Sequence, residues 1–249
     1  MCFDIDSEPP IPRIAGAAVS HDDLVLTAAD GNTFAAFLAA PDEPATTGVV
    51  IFPDVRGLFH FYEELALRFA ERGHRAIALD YFGRTAGVAK RDAEWEYMPH
   101  VEQTTQAGVK ADAASAVDEL RERGATSIFS VGFCFGGSAS WLAAASGFGL
   151  AGSIGFYGSP TRERGGPSVV QRAAEIECPI LALQAGDDQG ITAEDNAAFE
   201  RALTEAGVEH EIVVYDGAPH SFFDRKQEDY AEASEDAWQR TLAFIAQHS

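Results

Sequence analysis

The sequence predicts an α/β fold, with one mostly parallel sheet covered by helices on both faces. Three observations carry that expectation. Short continuous apolar runs such as Val49-Val-Ile-Phe52 have the length and β-branched content of strands buried on both sides. Between such runs lie longer stretches with apolar residues at helical spacing, and strand–helix alternation implies crossovers onto a parallel sheet. The 249 residues, 46% apolar and 23% charged, suit a globular chain, read here as one domain over 1–249.

The elements follow in order. Pro9, Pro10 and Pro12 forbid regular helix near the start, so residues 1–20 read as an extended acidic arm, packed on the body or on a second subunit. Asp23–Thr27, the turn Asp30-Gly-Asn-Thr33 and Phe34–Leu38 make a hairpin. After strand 49–52, Leu65, Phe69 and Ala70 mark a helix over about 61–72, stopped by Gly73. Arg75–Leu79 is the next strand. Val109, Ala113, Ala116, Val117 and Leu120 stripe one face of a helix ending near Gly124. Ser127–Val131 is a strand and Gly136–Ala145 a helix of small residues. Ala151–Phe156, Pro179–Gln184 and Glu211–Tyr215 complete the strands, with helices over about 193–206 and 227–247. The irregular stretch 81–105 has the length of a lid or an active-site rim.

Charge and cysteine usage remove whole classes of function. With 39 acidic against 18 basic residues the net charge is −21, a field that repels phosphate backbones and anionic membranes. Cys2, Cys134 and Cys178 share no repeated spacing, so neither a disulfide framework nor a zinc site is expected. The acidic N-terminus does not read as a signal peptide, and no apolar run is long enough to span a bilayer. A cytoplasmic setting is the resulting expectation. Dinucleotide, P-loop and paired-histidine patterns are missing, so no cofactor and no metal are expected.

Chemistry concentrates in Ser130-Val-Gly-Phe-Cys-Phe-Gly-Gly137. A strand enters Gly132-Phe-Cys-Phe-Gly136 and a helix starts at once, which is the G-x-nucleophile-x-G elbow with cysteine in the nucleophile's place. Positions two before and two after the nucleophile crowd neighbouring chain, hence the glycines. A helix N-terminus beside the thiol favours thiolate. An isolated cysteine in a Gly-rich turn is ordinarily inert, but strand, glycines and helix together reverse that reading. A nucleophile needs a base and an orienting acid, which on this fold follow in the order acid, then histidine. Strand 179–184 runs into Gly186-Asp-Asp188 and strand 211–215 into Asp216-Gly-Ala-Pro-His220. Of the two aspartates Asp188 is preferred over Asp187.

On these motifs, together with Gly217-Ala-Pro-His-Ser-Phe-Phe223, the chain resembles the dienelactone hydrolase family of α/β-hydrolases along nearly its whole length. The resemblance implies a cofactor-free Cys-His-Asp triad of Cys134, His220 and Asp188, and an unsaturated lactone bearing a carboxylate as substrate. It also implies a thiol-activating carboxylate after the first parallel strand. There Asp54 stands in place of the family's glutamate, with a reach about 1.5 Å shorter. Val55 and Phe135 then supply the amides of an oxyanion hole. Arginines bind the substrate carboxylate in this family. The candidates are Arg84, Arg225 (five residues after His220, where the family has four) and, more weakly, Arg91. Tyr157 is expected at the substrate, with Phe59, Phe61 and Phe82 as further aromatic wall or as plain core. Partners reduce to a small ester or lactone, with the chain a monomer or homodimer. A general carboxylesterase for small aryl esters, and a non-catalytic thiol sensor, are the competing readings.

Overall fold

The computed structural model describes residues 3–91 and 94–249. Cys2, and Asp92 and Ala93 within the irregular stretch, lie outside the described residues.

Eight strands form the sheet: β1 (Val19–Thr27), β2 (Thr33–Pro41), β3 (Thr47–Phe52), β4 (Arg75–Leu79), β5 (Ser127–Phe133), β6 (Gly152–Phe156), β7 (Ile180–Asp187) and β8 (His210–Pro219). Their spatial order is β1-β2-β4-β3-β5-β6-β7-β8. The β1–β2 hairpin is antiparallel and joins β4 antiparallel, while β3 through β8 all run parallel to one another. The helices are α1 (His60–Ala70), α2 (Gly83–Ala86), α3 (Met98–Val101), α4 (Gln106–Glu122), α5 (Phe135–Ala144), α6 (Ala193–Ala206) and α7 (Ala231–His248). Among its described residues the stretch 81–105 therefore carries two short helices. The last helix starts at Ala231 behind a 3₁₀ turn at Glu228–Tyr230, and a second 3₁₀ turn at Val170–Glu175 has no periodic signal in the sequence.

The two faces of the sheet bury different chemistry. Strand side chains alternate, so Val50 and Phe52 of β3 point to one core and Val49 and Ile51 to the other. α4, α5 and α6 cover the first core, which is rich in alanine and aliphatic residues. α1, α7 and the N-terminal arm cover the second, which is dense in rings. Phe69 of α1 meets Trp238 of α7 at 4.8 Å between centroids. The arm packs on the body: Phe3 is 2% exposed and stacks on Phe61 at 4.0 Å. Ion pairs Asp6–Lys226 and Glu8–Arg225 fasten the arm to the loop after β8. Among the described residues no helix is long and apolar enough to cross a membrane.

This topology dictates where a ligand belongs. β3 lies between β4 and β5, so the chain leaves β3 to one side and later returns on the other. That reversal opens a crevice at the carboxyl ends of β3 and β5.

Candidate active site

Strand register assembles the site. Phe52 of β3 pairs with Gly132 of β5, so two residues further on Asp54 and Cys134 occupy equivalent positions at adjacent strand ends. One residue beyond them stand Val55 and Phe135. Phe133 pairs with Phe156 of β6, which brings Tyr157 level with Cys134. At the far side Asp187 of β7 pairs with Pro219 of β8, which sets Asp188 against His220. This pairing depends on a register shift between Ala185 and Asp187, since Ala185 pairs with Tyr215. Residues distant in sequence thus converge because parallel strands end together.

The β5–α5 turn holds Cys134 in a left-handed conformation, φ 56° and ψ −112°, that few non-glycine residues tolerate. A Cβ at Gly132 would collide with the Gly136 carbonyl, and one at Gly136 with the carbonyl oxygens of Phe52 and Pro53. The sharp turn therefore requires glycine at both positions. The Cys134 amide donates to the Phe156 carbonyl at 3.0 Å, and the Cys134 carbonyl accepts from Gly137 as α5 begins. Cys134 is half-buried at the N-terminus of that helix.

Asp188 and His220 form the tightest polar pair at the site. His220 Nδ1 lies 2.6 Å from Asp188 Oδ2, with the two side chains 19% and 4% exposed. Asp188 Oδ1 accepts the amides of Gly190 and Ile191 at 2.8 and 3.2 Å. Burial opposes ionisation of Asp188, yet the His220 contact and those amides outweigh it and hold the carboxyl below its usual value. Asp187 is exposed, so the carboxylate that meets the histidine is Asp188. The His220 ring rests 5.0 Å from the Tyr157 ring. Tyr157 and Ser221 also have positive φ, 36° and 64°, so backbone strain gathers around the histidine.

Asp54 is fully buried. Its Oδ1 accepts the Arg56 amide at 2.8 Å, and its own amide donates to the Tyr62 hydroxyl at 2.8 Å. Tyr81 donates its hydroxyl to the Pro53 carbonyl at 2.9 Å and packs edge-on to Phe135 at 5.1 Å. Burial first, then the negative charges of Asp54, Asp80 and Cys134, drive the Tyr81 phenol well above its usual range, so it stays a neutral donor. The loop after β3 is braced from β4 as well: Asp80 Oδ1 accepts the Leu58 amide at 3.3 Å, while its Oδ2 accepts from Arg91 at 2.8 Å.

Cys134, Asp188, His220, Val55, Phe135 and Tyr157 all border one cleft of about 700 Å³. The expected arginines do not. Arg84 turns away to Asp30 at 2.5 Å and to Asp112 at 2.8 Å, since the buried Asp112 carboxylate requires a counter-charge. Arg225 pairs with Glu8 of the arm and donates to the Pro9 carbonyl. Arg91 is held by Asp80. The arginines that border the cleft are Arg56, Arg162 and Arg164, which the sequence reading did not single out. Arg56 was recognisable only by its place two residues after Asp54; the other two lie in an irregular loop after β6. Phe59, Phe61 and Phe82 are core residues, 4%, 0% and 1% exposed. Phe3 and Asp4 of the arm do border the cleft, which nothing in the sequence indicated. Among the described residues no cluster of His, Cys, Asp or Glu has the makings of a metal site.

A parallel sheet with a strained cysteine elbow after β5, an acid after β7 and its histidine after β8 defines an α/β-hydrolase. The dienelactone hydrolase family matches residues 34–249, and the chain belongs to it. It is accordingly an enzyme of the carboxylic ester and lactone hydrolase class. A carboxymethylenebutenolidase of Rhodococcus opacus is 28% identical, the match spanning all of this chain and 97% of that one. A candidate carboxymethylenebutenolidase of Yersinia pestis is 30% identical over 88% of this chain and 85% of its own. The crystal structure of a candidate dienelactone hydrolase from Klebsiella pneumoniae superposes with a TM-score of 0.81 at 27% identity, covering 92% of this chain and 99% of that one.

Proposed function

We propose that this chain hydrolyses an activated ester or a lactone through a covalent cysteine acyl-enzyme. The observation that carries the reading is the convergence of Cys134 and the Asp188–His220 pair on one cleft. In the proposed sequence His220 Nε2 takes the Cys134 thiol proton, and Cys134 Sγ, as thiolate, adds to the substrate carbonyl. Negative charge on the carbonyl oxygen is met by the amides of Val55 and Phe135. As the C–O bond breaks, His220 Nε2 gives its proton to the leaving oxygen. Water then attacks the thioester while His220 takes its proton, and thiolate leaves with the free carboxylic acid formed. Asp188, engaged on Nδ1, fixes the tautomer that presents Nε2 and steadies the imidazolium. Asp54, buried beside the elbow, assists thiolate formation when substrate arrives. A thiolate suits a good leaving group, so amides and plain alkyl esters are poor substrates.

The dienelactone-type substrate carries a carboxylate. Arg56, Arg162 and Arg164 at the cleft supply the positive field for it, in place of Arg84 and Arg225. The engagement of those two arginines elsewhere favours a second reading, a carboxylesterase that accepts neutral aryl esters. Initial rates on a dienelactone and on p-nitrophenyl acetate, with Cys134→Ala beside the wild type, decide between them. Cys134-dependent turnover that strongly prefers the lactone supports the first reading. Comparable rates support the esterase. Turnover that survives Cys134→Ala, or none at all, sinks both.

A further inference from the structure

Beside the cleft at Cys134 lies a second chamber of about 450 Å³, well within the size of small-molecule sites. The two spaces share Met98, Phe135, Ser138, Arg162 and Arg164. Away from these shared residues Val101, Val109, Ala113, Leu142, Phe148 and Val169 form the apolar part of the lining, and Thr104, Thr105, Gln106 and Ser146 its neutral polar part. One helix serves both spaces. α5 begins at the elbow, and its face toward the chamber carries Phe135, Ser138, Ala139, Leu142 and Ala143, positions that recur on one side of a helix. Of the other charged residues at the chamber, Glu102 and Lys110 are exposed, which places them at its solvent side, and the half-buried Arg172 is paired with Glu175 at 2.7 Å. Among the shared residues Met98 is 51% exposed, an unbranched and adaptable side chain held at a surface. Arg164 lies over the Phe135 ring at 5.4 Å.

Orientation follows from proton transfer. A leaving oxygen must lie within reach of His220, so the leaving group occupies the side of the cleft formed by segments 187–191 and 219–227. Among the described residues none of those segments borders the chamber. The acyl part of the substrate, on the other side of the carbonyl carbon, is the part that faces it.

We propose that this chamber is the acyl-binding site of the enzyme and takes an apolar acyl chain of medium length. The chain runs from the carbonyl at Cys134 past Phe135 and along α5. This deepens the hydrolase reading and rests on it for the position of the carbonyl carbon.

The test is a series of p-nitrophenyl acetate, butyrate, hexanoate and octanoate on the wild type and on Val109→Trp, which fills the chamber from α4. Ala143→Leu fills it from the opposite wall and serves if the tryptophan variant fails to fold. Octanoate and acetate binding to Cys134→Ala, measured by calorimetry with and without the filling substitution, needs no turnover. The wild type is expected to gain about threefold in kcat/KM per methylene up to hexanoate. The filling substitution lowers the hexanoate-to-acetate ratio at least tenfold. Octanoate binds Cys134→Ala at least tenfold tighter than acetate, and the filling substitution removes that preference. A flat or falling wild-type series, or an unchanged ratio in both filled variants, overturns the chamber while leaving the esterase mechanism standing. If no ester shows Cys134-dependent turnover, the mechanism fails and calorimetry alone decides. A chain-length preference lost on filling supports the chamber, and equal binding of the two acids overturns it.

Discussion

Cys134 and Cys178 are the two cysteines among the described residues, and their surroundings could hardly differ more. Cys178 sits just before β7, 7% exposed in the aliphatic core. Burial, with a smaller contribution from the neighbouring Glu177 charge, pushes its thiol up to about 12. Cys134 is half-buried at a cleft, held by a strained turn at the start of a helix and level with Asp54 and Tyr157. Residue type is the same in both; strand register and turn geometry make one a candidate nucleophile and the other packing material.

The largest expected break in this comparison is kinetic. Cys134→Ala lowers kcat/KM for an activated ester by on the order of 10³-fold or more, whereas Cys178→Ala changes it less than about twofold and costs about 1 kcal/mol of stability through lost packing. Initial rates and urea unfolding of both variants check this. Alkylation sharpens the same contrast. With its thiol pushed up to about 12 by burial, Cys178 stays protonated at pH 7. Iodoacetamide is therefore expected to modify Cys134 in the native protein and Cys178 only after unfolding, as read by peptide mass spectrometry.

Next in size is Asp188→Asn. It leaves the cleft in place but mis-sets the His220 tautomer, with an expected loss of about 10²- to 10⁴-fold in kcat. An unchanged pH–rate profile in that variant would contradict the orienting role. Gly136→Ala attacks the elbow itself, because the new methyl group meets the end of β3. A loss of about 2–3 kcal/mol is expected, together with most of the activity.

The smallest effect concerns a buried acid. Burial raises the Asp80 carboxyl to about 6 even against its Arg91 partner. Between the ordinary value near 3.8 and about 6, the folded chain binds more protons at this site than the unfolded one. The Asp80 contribution to stability is therefore complete below about 3.8, is lost as pH rises through about 6, and adds no slope above that. Urea midpoints at pH 4 to 8 are expected to show this slope in the wild type and to lose it in Asp80→Asn.

The sheet, its helices and the Cys134, Asp188 and His220 positions were legible in sequence because period-two and helical patterns, and the glycines at an elbow, leave a direct trace. So was the choice of Asp188, by its distance from the loop glycine. The arginines were not. A long, flexible side chain goes to whichever charge needs it, and Asp112 buried on α4 draws Arg84 away without any mark in the spacing. Arg162 and Arg164 sit in a loop without periodicity, so only the closed fold brings them to the cleft. The contribution of Phe3 and Asp4 escaped for a related reason. Prolines announce an extended segment but not where it lies.

That arm also bears on how the chain is made. Glu8 and Asp6 find Arg225 and Lys226 across 217 and 220 residues of sequence. On the ribosome these two acidic side chains must wait for their cationic partners until the loop after β8 has emerged. The fastening of the cleft wall that Phe3 and Asp4 provide is thus a long-range contact, of the kind that is costly to close and slow to form.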